Sequence, residues 1–97
     1  MATRMMMIFT KDELKRCKIR SDGTIYVDLH EYSEPEARKF VSNIMSLSRE
    51  PLHLVLIHGY HRGTVLRNML RGDTFKKRCK DIYADKENEG RTHFFVA

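Results

Sequence analysis

The feature that most constrains the fold of this chain is a pair of predicted strands, each with a histidine at its end. A helix-length segment lies between them. The first strand covers residues 25–30 and ends in His30, and the second covers residues 53–57 and is followed by His58. The order strand, helix, strand is typical of a parallel crossover unit. In such a unit both strands end at the same edge of the sheet, where open α/β sheets place their ligands. We therefore expect Asp28, His30 and His58 to converge there.

The segment between these strands has the most regular pattern in the chain. Ser33 and Glu36 have the capping-box spacing that begins a helix, and Pro35 is tolerated in the first turn. Apolar residues then recur at the helical spacing i, i+3, i+4, i+7 and i+8, at Ala37, Phe40, Val41, Ile44 and Met45. The pattern predicts an amphipathic helix that ends before Pro51.

Alternation within the strands predicts which way each side chain faces. In the first strand, Val27 and Leu29 share a face that suits contact with a helix, whereas Asp28 and His30 share the other face. The second strand carries a continuous apolar run, which is typical of a central strand covered on both faces.

Weaker signals complete a predicted βαβαββ order. Thr10 and Glu13 fit a capping box for a short helix over residues 11–17, and a turn signal follows at residues 21–23. Later elements are expected at residues 64–70 (helix), 75–79 (helical turn), 82–84 (strand) and 92–96 (strand). We thus predict an N-terminal extension over residues 1–23 and an α/β domain over residues 24–97 with four strands and two main helices.

Composition excludes several classes of protein. Ninety-seven residues suit one domain, and 41% apolar with 32% charged residues suits a soluble globular one. The longest apolar runs have about five residues, whereas a membrane span needs about 20. The chain shows no secretory signal, and Cys17 and Cys79 are too few and too far apart for a disulfide framework. We therefore expect no membrane partner and a reduced, cytoplasmic setting.

The net charge of +5 is unevenly distributed. Residues 1–24 carry +3, residues 25–61 carry −2 and residues 62–97 carry +4. An asymmetric basic excess favours a polyanionic partner such as nucleic acid, although a solvated basic surface also explains it.

The loop after the second strand suggests a site for phosphate. A strand that enters a glycine-containing loop and then a helix presents backbone amides to an anion. Gly59 and Gly63 permit close approach, and Arg62 and Arg67 add positive charge. The spacing is not that of a Walker motif.

Histidines beside such a site suggest phosphodiester chemistry. One imidazole can take a proton from water or a ribose hydroxyl while another protonates the leaving oxygen, and Asp28 can orient an imidazole or hold a metal ion. The alternative is that each strand-end histidine fixes its loop by hydrogen bonding. His61 suits a phosphate contact or an exposed loop position, and we expect structural roles for His53 and His93. No zinc site is expected, because the histidines and cysteines lack compact ligand spacing.

Two motifs together resemble a known family. Val27-Asp28-Leu29-His30 with the capped helix after it, Ile57-His58-Gly59, and Gly63-Thr64-Val65-Leu66-Arg67 resemble the small MutS-related (Smr) domain, over about residues 24–97. That family begins with Leu-Asp-Leu-His-Gly and has a second His-Gly or Thr-Gly motif before its second helix. The chain departs from this pattern at Glu31 and His61, where the family carries glycine.

The resemblance implies a stand-alone two-layer α/β sandwich with a four-stranded mixed sheet. It implies nucleic-acid binding and an endonuclease that nicks DNA or cleaves RNA. Its candidate catalytic residues are Asp28, His30 and His58, and its candidate phosphate-binding residues are Gly59, His61, Arg62, Gly63, Arg67 and Arg91.

The cofactor, the oligomeric state and the class of function each have more than one candidate. A divalent cation such as Mg²⁺ or Mn²⁺ is a candidate cofactor, and we expect a monomer or a weak homodimer. A non-catalytic DNA- or RNA-binding module that uses the same basic edge is the main alternative. A protein-interaction domain that uses the apolar residues 5–9 is the weakest one.

Overall fold

The computed structural model describes residues 9–47, 51–59 and 64–96. It has the expected mixed α/β class. In chain order the elements are α1 (Lys11–Lys15), β1 (Cys17–Ile19), β2 (Ile25–Asp28), α2 (Glu34–Leu47), β3 (Leu52–Ile57), α3 (Thr64–Leu70), α4 (Asp73–Lys76), β4 (Asp81–Ala84) and β5 (Arg91–Val96). None of the helices in these ranges is long and apolar enough to cross a membrane.

The sheet of the described chain has five strands in the order β1-β2-β3-β5-β4, which corrects the expected four. Strands β2 and β3 are parallel, as the crossover predicts, and the other neighbours are antiparallel. The additional strand is β1, which lies within the predicted N-terminal extension. It forms a hairpin with β2 because Gly23 adopts φ 89° in the turn and the Asp22 carboxylate accepts the Thr24 amide at 2.9 Å.

Both predicted capping boxes form. The Thr10 amide donates to the Glu13 carboxylate at 2.8 Å, and the Glu13 amide donates to the Thr10 hydroxyl at 3.1 Å. Ser33 and Glu36 exchange the same pair of bonds at 3.1 and 3.3 Å. The first helix is shorter than expected, because the chain turns at Arg16 and enters β1 at Cys17.

The strand register separates the sheet into two faces. Val27, Leu54, Leu56 and Phe94 are fully buried on one face and belong to the hydrophobic core that also contains Phe40 of α2. We call this the helix face. Phe9 completes the core by packing edge-on against the Phe40 ring at 5.7 Å between centroids; residues 5–8, the rest of the predicted apolar patch, lie outside the described residues.

The opposite side of the sheet is called the open face below. Val55 and Ile57 lie there. Val55 is only 1% exposed, yet it is not part of the core cluster; its neighbours in register are Tyr26 and His93. Polar and aromatic side chains of adjacent strands, rather than a second helix layer, therefore surround the apolar positions of β3 on this face.

Candidate nucleic-acid interface

A cavity of about 390 Å³ on the open face is lined mainly by basic side chains. We call it the basic groove; its lining residues are Lys15, Arg16, Lys18, Arg20, Tyr26, Asp28, Ile57 and Arg91. Five of the eight are cations, and a single carboxylate opposes them. Such an excess of positive charge around a surface cavity attracts a polyanion.

Strand alternation places these cations. Lys18 is in register with Tyr26, and Arg91 is in register with Ile57, so all four side chains belong to the open face. The guanidinium of Arg20 lies 4.7 Å from the centre of the Tyr26 ring, and that of Arg91 lies 5.8 Å from it. Tyr26 thus gathers two cations over one ring by cation–π attraction.

Arg91 has a further feature. Its Nε atom is buried and has no hydrogen-bond partner within the described part of the chain. Buried polar atoms are normally satisfied, and a guanidinium is well suited to a phosphate. Because Nε is enclosed, a phosphate in the groove would meet the terminal nitrogens of the Arg91 guanidinium rather than Nε.

Arg16 fixes the end of β2. Its guanidinium donates to the backbone oxygens of Asp28 at 3.2 Å and of His30 at 2.7 Å. It also donates to the Asp12 carboxylate at 2.8 Å and stacks on the Tyr32 ring at 4.1 Å. Because these contacts engage much of the Arg16 fork, we regard it as a positioning residue for the turn that carries His30.

Asp12 and Tyr32 hold this arginine from the other side. The Tyr32 hydroxyl donates to the Asp12 carboxylate at 2.7 Å. Hydrogen bonds from Tyr32 and Arg16 lower the pKa of Asp12, so that carboxylate stays ionised. Burial, followed by the bond to Asp12, raises the pKa of Tyr32 to about 12.

Asp28 and His30 form a dyad next to the groove. The strand ends at Asp28, two residues earlier than predicted, so His30 lies in the turn that follows. One oxygen of Asp28 accepts from the His30 ring Nδ1 at 2.5 Å and from the His30 amide at 3.1 Å. The His30 side chain is 55% exposed, with its Nε2 4.0 Å from a Glu31 oxygen. A carboxylate that fixes Nδ1–H leaves Nε2 as the basic atom, which is the arrangement of an oriented general base.

His58 has a different environment. It is 3% exposed, and both ring nitrogens are hydrogen-bonded, Nδ1 to the Gly59 carbonyl at 2.8 Å and Nε2 to the Thr92 hydroxyl at 2.9 Å. A carbonyl only accepts, so Nδ1 carries the proton and Nε2 accepts from Thr92, which in turn accepts from Arg71 Nε at 3.0 Å. Burial lowers the pKa of His58, and the charges of Arg71 and Arg67 lower it further.

The three predicted catalytic residues share an edge of the sheet but not a face. Asp28 is in register with Ile57 on the open face, so His58, one residue later, has its ring on the helix face beside Thr92. The structure therefore brings Asp28 and His30 together and places the His58 ring apart from them, within a buried network.

The predicted phosphate-binding residues that the structure describes do not lie at one site. Arg91 lines the basic groove, whereas Arg67 lies on α3 in the helix layer. Gly59 adopts φ 78°, and its amide donates to the Gly90 carbonyl at 3.0 Å, so that amide is engaged within the protein. His61, Arg62 and Gly63 lie outside the described residues.

Sequence reasoning missed most of the groove, because it missed β1. The missed residues are Lys15, Arg16, Lys18, Arg20 and Tyr26. A signal was present: apolar Cys17 and Ile19 alternate with basic Lys18 and Arg20 directly before a turn, which is the pattern of a hairpin strand with a basic face.

A divalent cation remains an untested expectation. The described residues contain no group of three histidine, cysteine or carboxylate side chains that could hold a metal ion. Mg²⁺ and Mn²⁺ prefer several oxygen ligands, and Asp28 is the only carboxylate that lines the described groove. The described residues of the groove therefore do not form a ligand set that fits a divalent cation.

Comparison with known proteins adds no family assignment. The chain matches no protein-family model, and a search of curated proteins gives no match. The resemblance to the Smr domain accordingly depends on the motif residues alone.

Proposed function

We propose that this chain binds nucleic acid through the basic groove on the open face of its sheet. The observation that carries the proposal is the charge of the cavity lining, which includes five cations and one carboxylate among the described residues. Lysine and arginine contacts to phosphates supply most of the affinity for nucleic acid. The position of Arg91 in the groove lining, beside the aromatic ring of Tyr26, supports the same ligand.

Charge reversal tests this proposal. In the double variant Lys18→Glu with Arg20→Glu, binding of a labelled oligonucleotide, followed by fluorescence anisotropy, should weaken at least about tenfold at low salt. The slope of log affinity against log salt should fall by about 0.7–0.9 for each phosphate that the variant no longer neutralises. Lys39→Glu with Lys76→Glu makes the same charge change on exposed helical positions and is the matched control.

Two outcomes count against the groove. If the control weakens binding as much as the groove variant does, net charge rather than this surface explains affinity. If the unaltered protein binds neither DNA nor RNA at low salt, the proposed function is wrong.

A second candidate function, phosphodiester cleavage, is favoured by the Asp28–His30 dyad. In this proposal an oxygen of water or of a ribose hydroxyl attacks phosphorus while His30 Nε2 takes its proton, and Asp28 stabilises the resulting imidazolium through Nδ1–H. The bond from phosphorus to the leaving oxygen breaks, and that oxygen takes a proton from solvent. His58 receives no proton-transfer role, because both of its ring nitrogens are engaged in the buried network. We assign it to holding Gly59, after the end of β3, against Thr92 of β5.

His30→Gln separates cleavage from binding. The variant should cleave supercoiled plasmid or folded RNA about 10²–10⁴ times more slowly while its affinity for the same substrate is unchanged. Reactions with and without a chelator report metal dependence. Undiminished cleavage in the His30 variant would rule out a catalytic role for His30. Binding without cleavage by the unaltered protein would leave the non-catalytic binding module.

A further inference from the structure

Beyond the basic groove, the open face carries a cluster of stacked rings. We call it the aromatic platform and define it by His53, Tyr83, His93 and Phe95. The His53 and Phe95 rings stack with centroids 4.4 Å apart, and the Tyr83 and His93 rings stack at 4.7 Å. Phe95 is 40% exposed, which is high for a large apolar side chain in a central strand. The platform thus presents ring surface to solvent.

The platform and the groove are continuous. The strand register gives one row of side chains across all five described strands: Lys18, Tyr26, Val55, His93 and Tyr83. Arg91 and His93 are two residues apart on β5 and therefore point to the same face. A ligand bound by the groove cations consequently has the platform within reach along this row.

A chain of hydrogen bonds orients the platform rings. The Asp85 carboxylate accepts from His93 Nε2 at 2.8 Å, and His93 Nδ1 lies 2.8 Å from His53 Nε2. Because Asp85 is held ionised by His93 and by the amides of Glu87 and Asn88, which lower its pKa, His93 Nε2 is the donor in the first bond. In the neutral form of His93, Nδ1 accepts from His53 Nε2. Rings that are fixed before binding lose little conformational entropy when a ligand arrives.

The charges around the platform distinguish its ligand from that of the groove. Asp81 is in register with Phe95, and Asp85 is bonded to His93, so carboxylates border the rings on the side of β4, away from the groove cations. Phosphate is disfavoured next to these carboxylates, whereas an uncharged planar ring is accepted.

We propose that the aromatic platform stacks an unpaired base, so that the ligand of this surface is single-stranded nucleic acid. This inference rests on the proposed function, since the groove must hold the phosphates of the same strand. Every base offers a π face to an aromatic side chain, and bases inside a duplex are already stacked on each other. The surface selects a flexible strand whose backbone follows the groove while a base turns onto Phe95 and His53.

The test compares a single strand with a duplex of the same length. Binding of a labelled oligothymidine should be tighter than that of the duplex, and Phe95→Ala should weaken it by about 5- to 150-fold, the range expected when one base stack is removed. Phe95→Tyr should bind like the unaltered protein, and Phe95→Leu should not. Val65→Ala, at an exposed apolar position on α3, is the matched control. A 2-aminopurine base in the strand should lose fluorescence on binding, and this quenching should disappear with Phe95→Leu.

The outcomes keep the two proposals apart. If Phe95→Leu binds normally while the Lys18 and Arg20 double variant does not, the platform is not a stacking site and the proposed function stands. Equal affinity for single strand and duplex also overturns the inference alone. Absence of binding by any nucleic acid at low salt overturns both.

Discussion

The two strand-end histidines lie at the same edge of the sheet and have opposite environments. His30 is exposed, bonded to a carboxylate and adjacent to the basic groove. His58 is buried, neutral and bonded to a carbonyl and a hydroxyl. The comparison shows that position at a strand end does not determine what a histidine does. The face its ring occupies and the charge of its partner determine whether it is available to a ligand.

The largest expected difference in stability lies between variants of two adjacent phenylalanines, whose side chains are on opposite faces of the sheet. Phe94 is fully buried in the core, so Phe94→Ala should cost about 3–5 kcal/mol of unfolding free energy. Phe95 is partly exposed, so Phe95→Ala should cost only about 1 kcal/mol, the value of an aromatic pair. Urea denaturation of both variants measures the difference. Similar losses would show that the open face is as tightly packed as the helix face.

The next largest difference in stability should lie between the alanine variants of the two histidines. His58→Ala leaves the Gly59 carbonyl and the Thr92 hydroxyl without their partner and should cost about 1–3 kcal/mol. His30→Ala, at an exposed position, should change stability by about 0.5 kcal/mol or less. Equilibrium unfolding of the two variants measures both free energies. A larger loss of stability for His30→Ala than for His58→Ala would contradict the assigned environments.

The turns after the two parallel strands offer a third comparison. Gly59 and Glu31 both have left-handed backbone angles, φ 78° and 71°. A Cβ at Gly59 would meet no atom of the described residues within 4 Å, so Gly59→Ala should cost only the conformational penalty of about 1–2 kcal/mol. Glu31→Gly should instead raise stability by up to about 1 kcal/mol, because it relieves the same penalty. Thermal unfolding shows whether each variant is more or less stable than the unaltered protein. A lower stability for Glu31→Gly would mean that the Glu31 side chain stabilises the turn.

The smallest effect is on the pH dependence of stability. Burial lowers the pKa of His58 below its ordinary value of 6.5. As pH falls below about 6.5, the unfolded chain therefore binds a proton before the folded one does, and folding is disfavoured. Each unit by which the pKa is lowered contributes about 1.4 kcal/mol at most. Unfolding free energies at about pH 7.5 and about pH 5.5 should show that the gap between the unaltered protein and His58→Ala narrows in acid. A constant gap would contradict the buried, neutral state.

The parts of the fold that sequence predicts are those with a long or repeated pattern. Ser33, Glu36 and the apolar spacing after them predict α2, and the two flanking apolar strands predict the parallel pair β2 and β3. Strand β1 is harder to predict because its alternation covers only residues 17–20, and its cations resemble a solvated tail.

The candidate site is predicted only in part for a related reason. Asp28 and His30 are two residues apart, so their contact follows from the sequence once a turn places the ring over the carboxylate. The separation of His58 depends on the register between β2 and β3, in which Asp28 meets Ile57. A register shifted by one residue reverses which side chains share a face, and no local pattern specifies it.

The strands at the two borders of the sheet have a consequence for how the protein behaves in concentrated solution. Strand β1 has three residues and β4 has four, with the charged side chains of Lys18 and Asp81 along them. Borders this short and charged are poor templates for strand addition by another copy, which is the usual route to fibrous self-association. The described sheet therefore offers little exposed backbone at its borders for growth into a fibre.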